Sequence, residues 1–392
     1  MALKRTDISE YIIHFLRRQD IKDLPFVYEL GGQMWFAEDN NTASMTEMEC
    51  LFNIVSEGGL RGSFSFRRGK ATIYGFEPAI CFTEMPIVNL LEYRNVRRNT
   101  YRVSNYGIAI RKNEFFKRGG RPVIYGLSAN NNFEFDESSN DNSSFRIIKD
   151  SILPIKEQYR YVAFQLGEKK EIDWTHEREW RIIGQDEIWI NDELYLDGLH
   201  LFDVDDFSEV ILIVKSKTEA LALERHVRTI QEGGYTPFGE FSSKIKFLVL
   251  DLALKEFNGG KVKSIEDLSE AAFYTFKYTP LEQERIETLH KVLDFCRSEA
   301  KRLGEEYLKK HRDSGFCGWC NIVSVDTDNP TVRYLFENDM VFVYNGQYAL
   351  KDIFNLAPHA QSLDYKSFLA QKICEILNTQ YEDIFYVVSH DD

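Results

Sequence analysis

The spacing of apolar positions predicts a chain that mixes strands and helices. Residues 8–17 are apolar, aromatic and β-branched, as expected of a buried strand. From Thr46 to Gly58, Met48, Leu51, Phe52 and Val55 recur at helical spacing, with Thr46 as N-cap, Glu49 three residues on and Gly58-Gly59 as the exit. Leu60 to Lys70 reads as a basic, glycine-rich loop, and Ala79 to Glu84 as a short strand ended by Pro86, before a helix carrying Leu90, Leu91 and Tyr93. Tyr106–Ile110 and Pro122–Gly126 read as strands, 128–144 as a polar loop, and 145–167 as a helix and a strand. Further strands are expected at Glu187–Ile190, Glu209–Val214 and Lys244–Leu250, with a helix over Lys217–Gln231.

After a connector from Glu256 to Pro280, the pattern changes. Leu281 to His311 is a long amphipathic helix with Ile286, Leu289, Val292, Leu293, Cys296, Ala300 and Leu303 on one side. A strand at Met340–Tyr344, a helix at Tyr365–Leu377 and a strand at Ile384–Val388 follow. The fold class expected is α+β, with a strand-rich domain over 1–255 and a smaller helix-led domain over 256–392.

Composition narrows the classes. Apolar content of 43% and aromatic content of 14% belong to a globular chain. A net charge of -14 argues against a general nucleic-acid coat, although a local basic surface is compatible with it. No apolar run is long enough to span a bilayer, no secretory leader is apparent, and six scattered cysteines suit a reducing cytoplasm. Against this acidic background, residues 94–121 hold nine Lys or Arg and one acidic residue, Glu114. That segment is either a solvated face or an anion-binding surface, with Tyr101, Tyr106, Phe115 and Phe116 available for stacking.

The candidate chemistry lies at Asp173-Trp-Thr-His-Glu-Arg-Glu-Trp-Arg-Ile-Ile183. Read as a strand from Glu177, it puts Glu177, Glu179 and Arg181 on one face. Paired carboxylates on one face fit a ligand or reaction that needs both; the bland alternative is a solvated edge strand in which Arg181 neutralises them. Cys317-Gly-Trp-Cys320 has no second cysteine pair to complete a zinc site and lacks a thioredoxin-like context, so a packing or turn role is expected. The nucleophile-elbow, zincin and dinucleotide-binding motifs are absent, and no metal is expected.

Several stretches carry a resemblance. Tyr11-Ile-Ile-His-Phe, Cys81-Phe-Thr-Glu-x-Pro, Arg121-Pro-Val-Ile-Tyr-Gly and Glu177-Arg-Glu-Trp-Arg together resemble the AbiGi-like family of abortive phage resistance proteins, over about residues 7 to 215. More distantly, the order is similar to the ADP-ribosyltransferase superfamily. Leu51-x-x-Ile-x-x-x-Gly-Gly-Leu60 looks like its first helix and glycine exit, Ala79-Ile-Cys-Phe-Thr-Glu84 like the nicotinamide-side strand of poly-ADP-ribose polymerases, and Arg178-Glu-Trp180 like the catalytic strand of DarT-type toxins. The chain departs from the superfamily in having His14-Phe-Leu where His-Gly-Thr stands, and no clear Ser-Thr-Ser strand.

The resemblance implies a split β-sheet core and transfer of ADP-ribose from NAD to a nucleic acid (RNA or DNA) or a protein. It casts Glu179 as the catalytic carboxylate and Glu177 as the residue that orients or deprotonates the acceptor. His14 would meet the adenosine-side ribose, Arg17 or Arg61 the diphosphate, and Tyr93, with Phe82 beside it, the nicotinamide. Arg94, Arg97, Arg98 and Arg102 would contact the target. Such an enzyme calls for an antitoxin or companion subunit. Two other classes fit the same residues: an inactive, partner-binding member of the fold, and a metal-dependent nuclease using Glu177, Glu179 and Asp173.

Overall fold

The computed structural model describes residues 8–17, 23, 27–30, 33–36, 45–97, 104–127, 144–166, 172–190, 193–257, 262, 264–276, 279–314, 316–326, 328–344, 347–381 and 383–391. The fold is α+β. The chain forms two compact units, one of residues 1–224 and 234–275, the other of 225–233 and 276–392.

The first unit is built on an eight-stranded mixed sheet. Its order is Phe273–Tyr274, Lys244–Val249, Glu209–Val214, Gly107–Arg111, Tyr11–Phe15, Ala79–Thr83, Glu179–Ile183, Arg121–Pro122. The apolar Glu209–Val214 strand, buried throughout, pairs parallel with Lys244–Val249, as continuous β-branched runs with both faces covered do. Tyr11, Ile13, Ala109, Ile211, Ile213 and Leu248 project to one face. They form a core there with helices α2 (Ile87–Arg97) and α5 (Leu250–Phe257).

The sheet is joined unevenly. Tyr11–Phe15 pairs with Gly107–Arg111 at five positions, and Ala79–Thr83 with Glu179–Ile183 at five. Between those two pairs the register contains one position, Ile13 opposite Thr83. Five strands and three strands thus meet at a single rung.

The hydrogen bonds show where the ladder stops. Leu16 N donates to Tyr106 O and Lys112 N to Glu10 O, so even positions of the first strand direct their backbone groups to the Gly107 strand. Odd positions face the Cys81 strand, and the rung after Ile13–Thr83 would be Phe15–Cys81. There the His14 Nδ1 lies 2.8 Å from Cys81 O. One step further, Ala79 exchanges both backbone bonds with Ser63. The sheet therefore splits from Thr83 towards Ala79, with an imidazole in the gap.

Helix α1 (Glu47–Glu57) has the capping box expected at Thr46 and Glu49, and a left-handed Gly58 with φ +93°. Gly59–Arg61, expected in a loop, is a strand of a separate three-stranded sheet with Glu193–His200 and Asp186–Ile190. Two helices of this unit lie where periodicity showed none: α3 (Lys112–Lys117), inside the basic segment, and α5. The helix expected within 145–167 is a single 3-10 segment, Ile155–Arg160. The polar loop falls outside the described residues at 128–143. Helix α4 (Lys217–Gly233) runs two residues beyond its expected end.

The second unit contains α6 (Gln283–Lys310) and a βαββαβ module. The module comprises Gly318–Ser324, α7 (Pro330–Glu337), Val341–Tyr344, Gln347–Leu350, α8 (Leu363–Tyr381) and Tyr386–Asp391. Its antiparallel sheet has the order Val341, Gln347, Gly318, Tyr386 strands. Leu289, Leu293, Cys296 and Ala300 of α6 share a core with Ile322, Tyr348, Ile373 and Leu377. Cys320 belongs to this core and Cys317 is exposed, so the cysteine pair straddles the start of a strand.

Candidate active site

The Glu-x-Glu pair does not lie on one strand. Thr175–Glu177 is a 3-10 turn, and Arg178, at φ +46°, is left-handed. The strand begins at Glu179. The left-handed residue breaks the two-residue period, so the expectation of one face for Glu177, Glu179 and Arg181 fails at Glu177. The turn is held by Thr83, whose hydroxyl donates to Glu177 O, and by Glu84 N, which donates to Arg178 O at 3.1 Å.

Glu179 and Arg181 do share a face. Arg181 Nε is 2.8 Å from Glu179 Oε1, and Nη2 is 3.2 Å from Oε2. The remaining guanidinium nitrogen donates to Tyr159 O at 2.6 Å and to Tyr161 O at 3.2 Å. Arg181 is 4% exposed and pinned by two elements besides its own strand. Burial alone would raise the Glu179 carboxyl pKa, but the Arg181 charge and hydrogen bonds outweigh it and hold the group below the usual carboxylate range. Burial, followed by the Glu179 charge, pushes the nearby Cys81 thiol up to about 12. Glu179 N donates to Tyr125 Oη at 2.9 Å. Tyr125 is itself pushed up to about 12, by burial first and, among smaller effects, by the charges of both glutamates.

His14 is half-buried against Phe82, with ring centroids 5.5 Å apart. Burial lowers its pKa to about 4, with the Arg17 charge adding to the effect and the Cys81 carbonyl opposing it. A carbonyl can only accept, so Nδ1 carries the proton and the neutral ring presents Nε2 as a lone-pair acceptor. Cross-strand partners share a face, which puts Cys81, Thr83, Glu179 and Arg181 on one side. Phe82, Trp180 and His14 lie on the other. His14 and Glu179 therefore stem from opposite faces on either side of Cys81: His14 bonds its carbonyl, and the Glu179 charge acts on its thiol. A ligand touching both would occupy the split itself. Arg17, exposed beyond the first strand, acts electrostatically on His14, Cys81 and Glu179.

The other expected positions are more dispersed. Phe82 is 2% exposed, wedged between His14 and Phe115, so it backs the imidazole from the core. Arg61 lies on the three-stranded sheet and bonds Glu57 at 2.6 Å. Tyr93, Arg94 and Arg97 are on α2, with side chains outside the described residues; Arg98 and Arg102 lie outside them altogether. Asp173 caps its own turn through Thr175 and is exposed. Among the described residues, no group of three or more His, Cys, Asp or Glu is placed to hold a metal ion. No described helix is long and apolar enough to cross a membrane.

The basic segment is less open than its composition suggests. Lys112 pairs with Glu84 at 2.6 Å, and Arg118 with Asp186 at 2.5 Å and Asp206 at 3.2 Å. Arg111 lies 3.9 Å from Glu10 and from Glu209. Arg121 bonds the carbonyls of Phe116 and Gly120. Among the stacking candidates, Phe115 is core, Tyr106 bonds Glu219 at 2.7 Å, and Phe116 lies under Arg121. All six of these carboxylates are 28 or more residues from the groups they meet, so no local charge count could show them.

Tyr159 and Tyr161 left no sequence signal, because they act on Arg181 through their carbonyls. Cys81, whose carbonyl bonds His14, drew attention only as part of the Cys81-Phe-Thr-Glu-x-Pro resemblance. Tyr125 sits in the Arg-Pro-Val-Ile-Tyr-Gly stretch, where only the resemblance drew attention to it. Compared with protein-family models, with curated proteins and with solved structures, the chain matches none.

Proposed function

We propose that this chain is an NAD-dependent ADP-ribosyltransferase of the AbiGi-like, anti-phage type, with NAD as donor substrate and a nucleic acid or protein as acceptor. One observation carries the reading. The central sheet is held by one rung, and beyond it a neutral histidine on one lip bonds Cys81 of the other, whose neighbouring strand carries an ionised glutamate, Glu179. A split sheet of this kind is what the resemblance to the transferase superfamily implies.

The groups suit the chemistry. Cleaving the bond to nicotinamide develops positive charge on the ribose, and a fixed carboxylate beside it stabilises that charge. Arg181 keeps Glu179 ionised, and its 14% side-chain exposure leaves Glu179 an open edge. His14 Nε2 can accept from a ribose hydroxyl, and Arg17 supplies a cation for the diphosphate. Glu177, on the turn before the strand, is within electrostatic reach of Tyr125 together with Glu179, a position suited to handling the acceptor's proton. An antitoxin or companion subunit would restrain such an enzyme.

The test is nicotinamide release from labelled NAD, with RNA, DNA and protein acceptors supplied separately, comparing wild type with Glu179→Gln. Label should enter one acceptor fraction with wild type and none with the variant. Wild-type turnover by a folded Glu179→Gln protein would overturn the assignment.

One observation favours a second reading, an inactive partner-binding protein. The Glu179 carboxylate is already bonded at both oxygens by Arg181. Absence of NAD binding by calorimetry in the wild type would select this reading.

A further inference from the structure

One edge of the C-terminal sheet lies open beside a cavity. Across the Cys317–Ser362 bridge, Leu363 N donates to Phe316 O at 2.8 Å, so even positions of the Gly318–Ser324 strand direct their backbone groups to that side. Odd positions serve the Tyr386–Asp391 strand, and the hydrogen-bonded rungs are Trp319–His390, Asn321–Val388 and Val323–Tyr386. Phe385, Val387, Ser389 and Asp391 therefore turn their N–H and C=O away from the sheet. Helix α8 meets the first of them: Asn378 Nδ2 donates to Phe385 O at 2.7 Å, and Phe385 N donates to Asn378 Oδ1 at 3.1 Å. One side-chain amide thus makes both bonds that a neighbouring strand would make. Among the described residues, nothing does the same for Val387 or Ser389, and no strand pairs with this edge. The edge strand is six residues long, keeps its register throughout, and lacks the Pro, Lys or bulge that commonly protects such an edge.

A cavity of about 490 Å³ adjoins this edge. Gln371, Cys374, Glu375 and Asn378, spaced as one stripe of α8, line it from the helix, and Val387 lines it from the strand. The pairs Ile322–Val387 and Cys320–Ser389 share the face turned to α8, so alternate side chains of an added strand would enter the cavity. Unpaired backbone donors and acceptors beside a cavity select a chain that brings its own backbone in extended form. Charge then sorts its side chains. Both ionisable carboxylates of the lining, Glu375 and Asp383, are acidic; Glu375 pairs with Lys372 at 2.8 Å, and Asp383 has no ion pair among the described residues. Lys or Arg is favoured there over Asp or Glu. We infer that this edge binds an extended, Lys- or Arg-bearing peptide segment of a partner protein as an added strand.

The experiment titrates the full chain into a labelled ten-residue peptide that alternates valine with lysine, and into its valine–glutamate counterpart, read by fluorescence anisotropy. Sedimentation of the chain alone and amide hydrogen exchange of the complex run alongside. The lysine peptide should bind more tightly than its counterpart and slow exchange at Val387 and Ser389. Ser389→Pro removes an outward N–H without breaking a rung, and should weaken binding at least about tenfold with circular dichroism unchanged. Glu375→Lys, at an exposed helix position, should narrow the preference between the two peptides. Binding that Ser389→Pro leaves unmoved, or that leaves exchange at Val387 and Ser389 unchanged, would overturn the added strand. So would absence of binding by either peptide. Self-association of the wild type, lost in Ser389→Pro, would assign the edge to a second copy of the chain instead.

Discussion

Replacing Arg181 by Met should cost the first unit about 3–5 kcal/mol at neutral pH, the expected loss when one partner of a buried ion pair is removed. The side chains of Arg181 and Glu179 are 5% and 14% exposed, and the guanidinium also serves the carbonyls of Tyr159 and Tyr161. Methionine fills similar space but leaves a buried carboxylate without its cation and two carbonyls without this donor. Four of the five tryptophans lie in the first unit, so tryptophan fluorescence in urea follows its unfolding. The pH dependence has a definite sign. In the wild type the Glu179 carboxyl pKa is depressed, so its contribution is present above the unfolded value and is lost as pH falls through the folded one. Without Arg181, burial dominates and raises the folded value. The variant's deficit should then shrink between pH 7.5 and pH 5, as Glu179 takes up a proton. A Glu179→Leu/Arg181→Met double variant should recover much of the loss, because a buried pair replaced by apolar groups is often near neutral. A deficit under about 1 kcal/mol, or one independent of pH, would refute the reasoning.

Two further outcomes are expected. The His14 imidazole should titrate near 4 and show the Nδ1–H tautomer in nitrogen-15 NMR; titration near the ordinary 6.5 would remove the burial argument. Its folded value lies below the unfolded one, so stability linked to His14 should be complete above about 6.5 and decline as pH falls towards about 4. Gly58→Ala should lower stability by at least about 2 kcal/mol, because φ is +93° and a Cβ would lie 1.9 Å from Thr236 Oγ1. Wild-type stability of that variant in chemical denaturation would show that α1 ends differently in solution.

Local chemistry made much of this protein legible in advance. The capping box at Thr46 and Glu49 and the left-handed exit at Gly58 depend on neighbours along the chain, and the structure has both. The same holds for the buried run Glu209–Val214 and for the long helix, which spans Gln283–Lys310. Glu179 and Arg181, two apart on a strand, share a face for the same reason. Tertiary structure decided what local spacing cannot encode. One left-handed residue, Arg178, took Glu177 off that strand, and the choice of φ there depends on Thr83 and Glu84 from another strand and its exit. The basic stretch acquired carboxylate partners from distant positions, because Coulomb attraction acts through space and not along the sequence. The split in the sheet is likewise a property of two strands more than sixty residues apart. Only their pairing could end the ladder at one rung and turn His14, an ordinary apolar-strand histidine by its surroundings in sequence, into the residue that fills the gap.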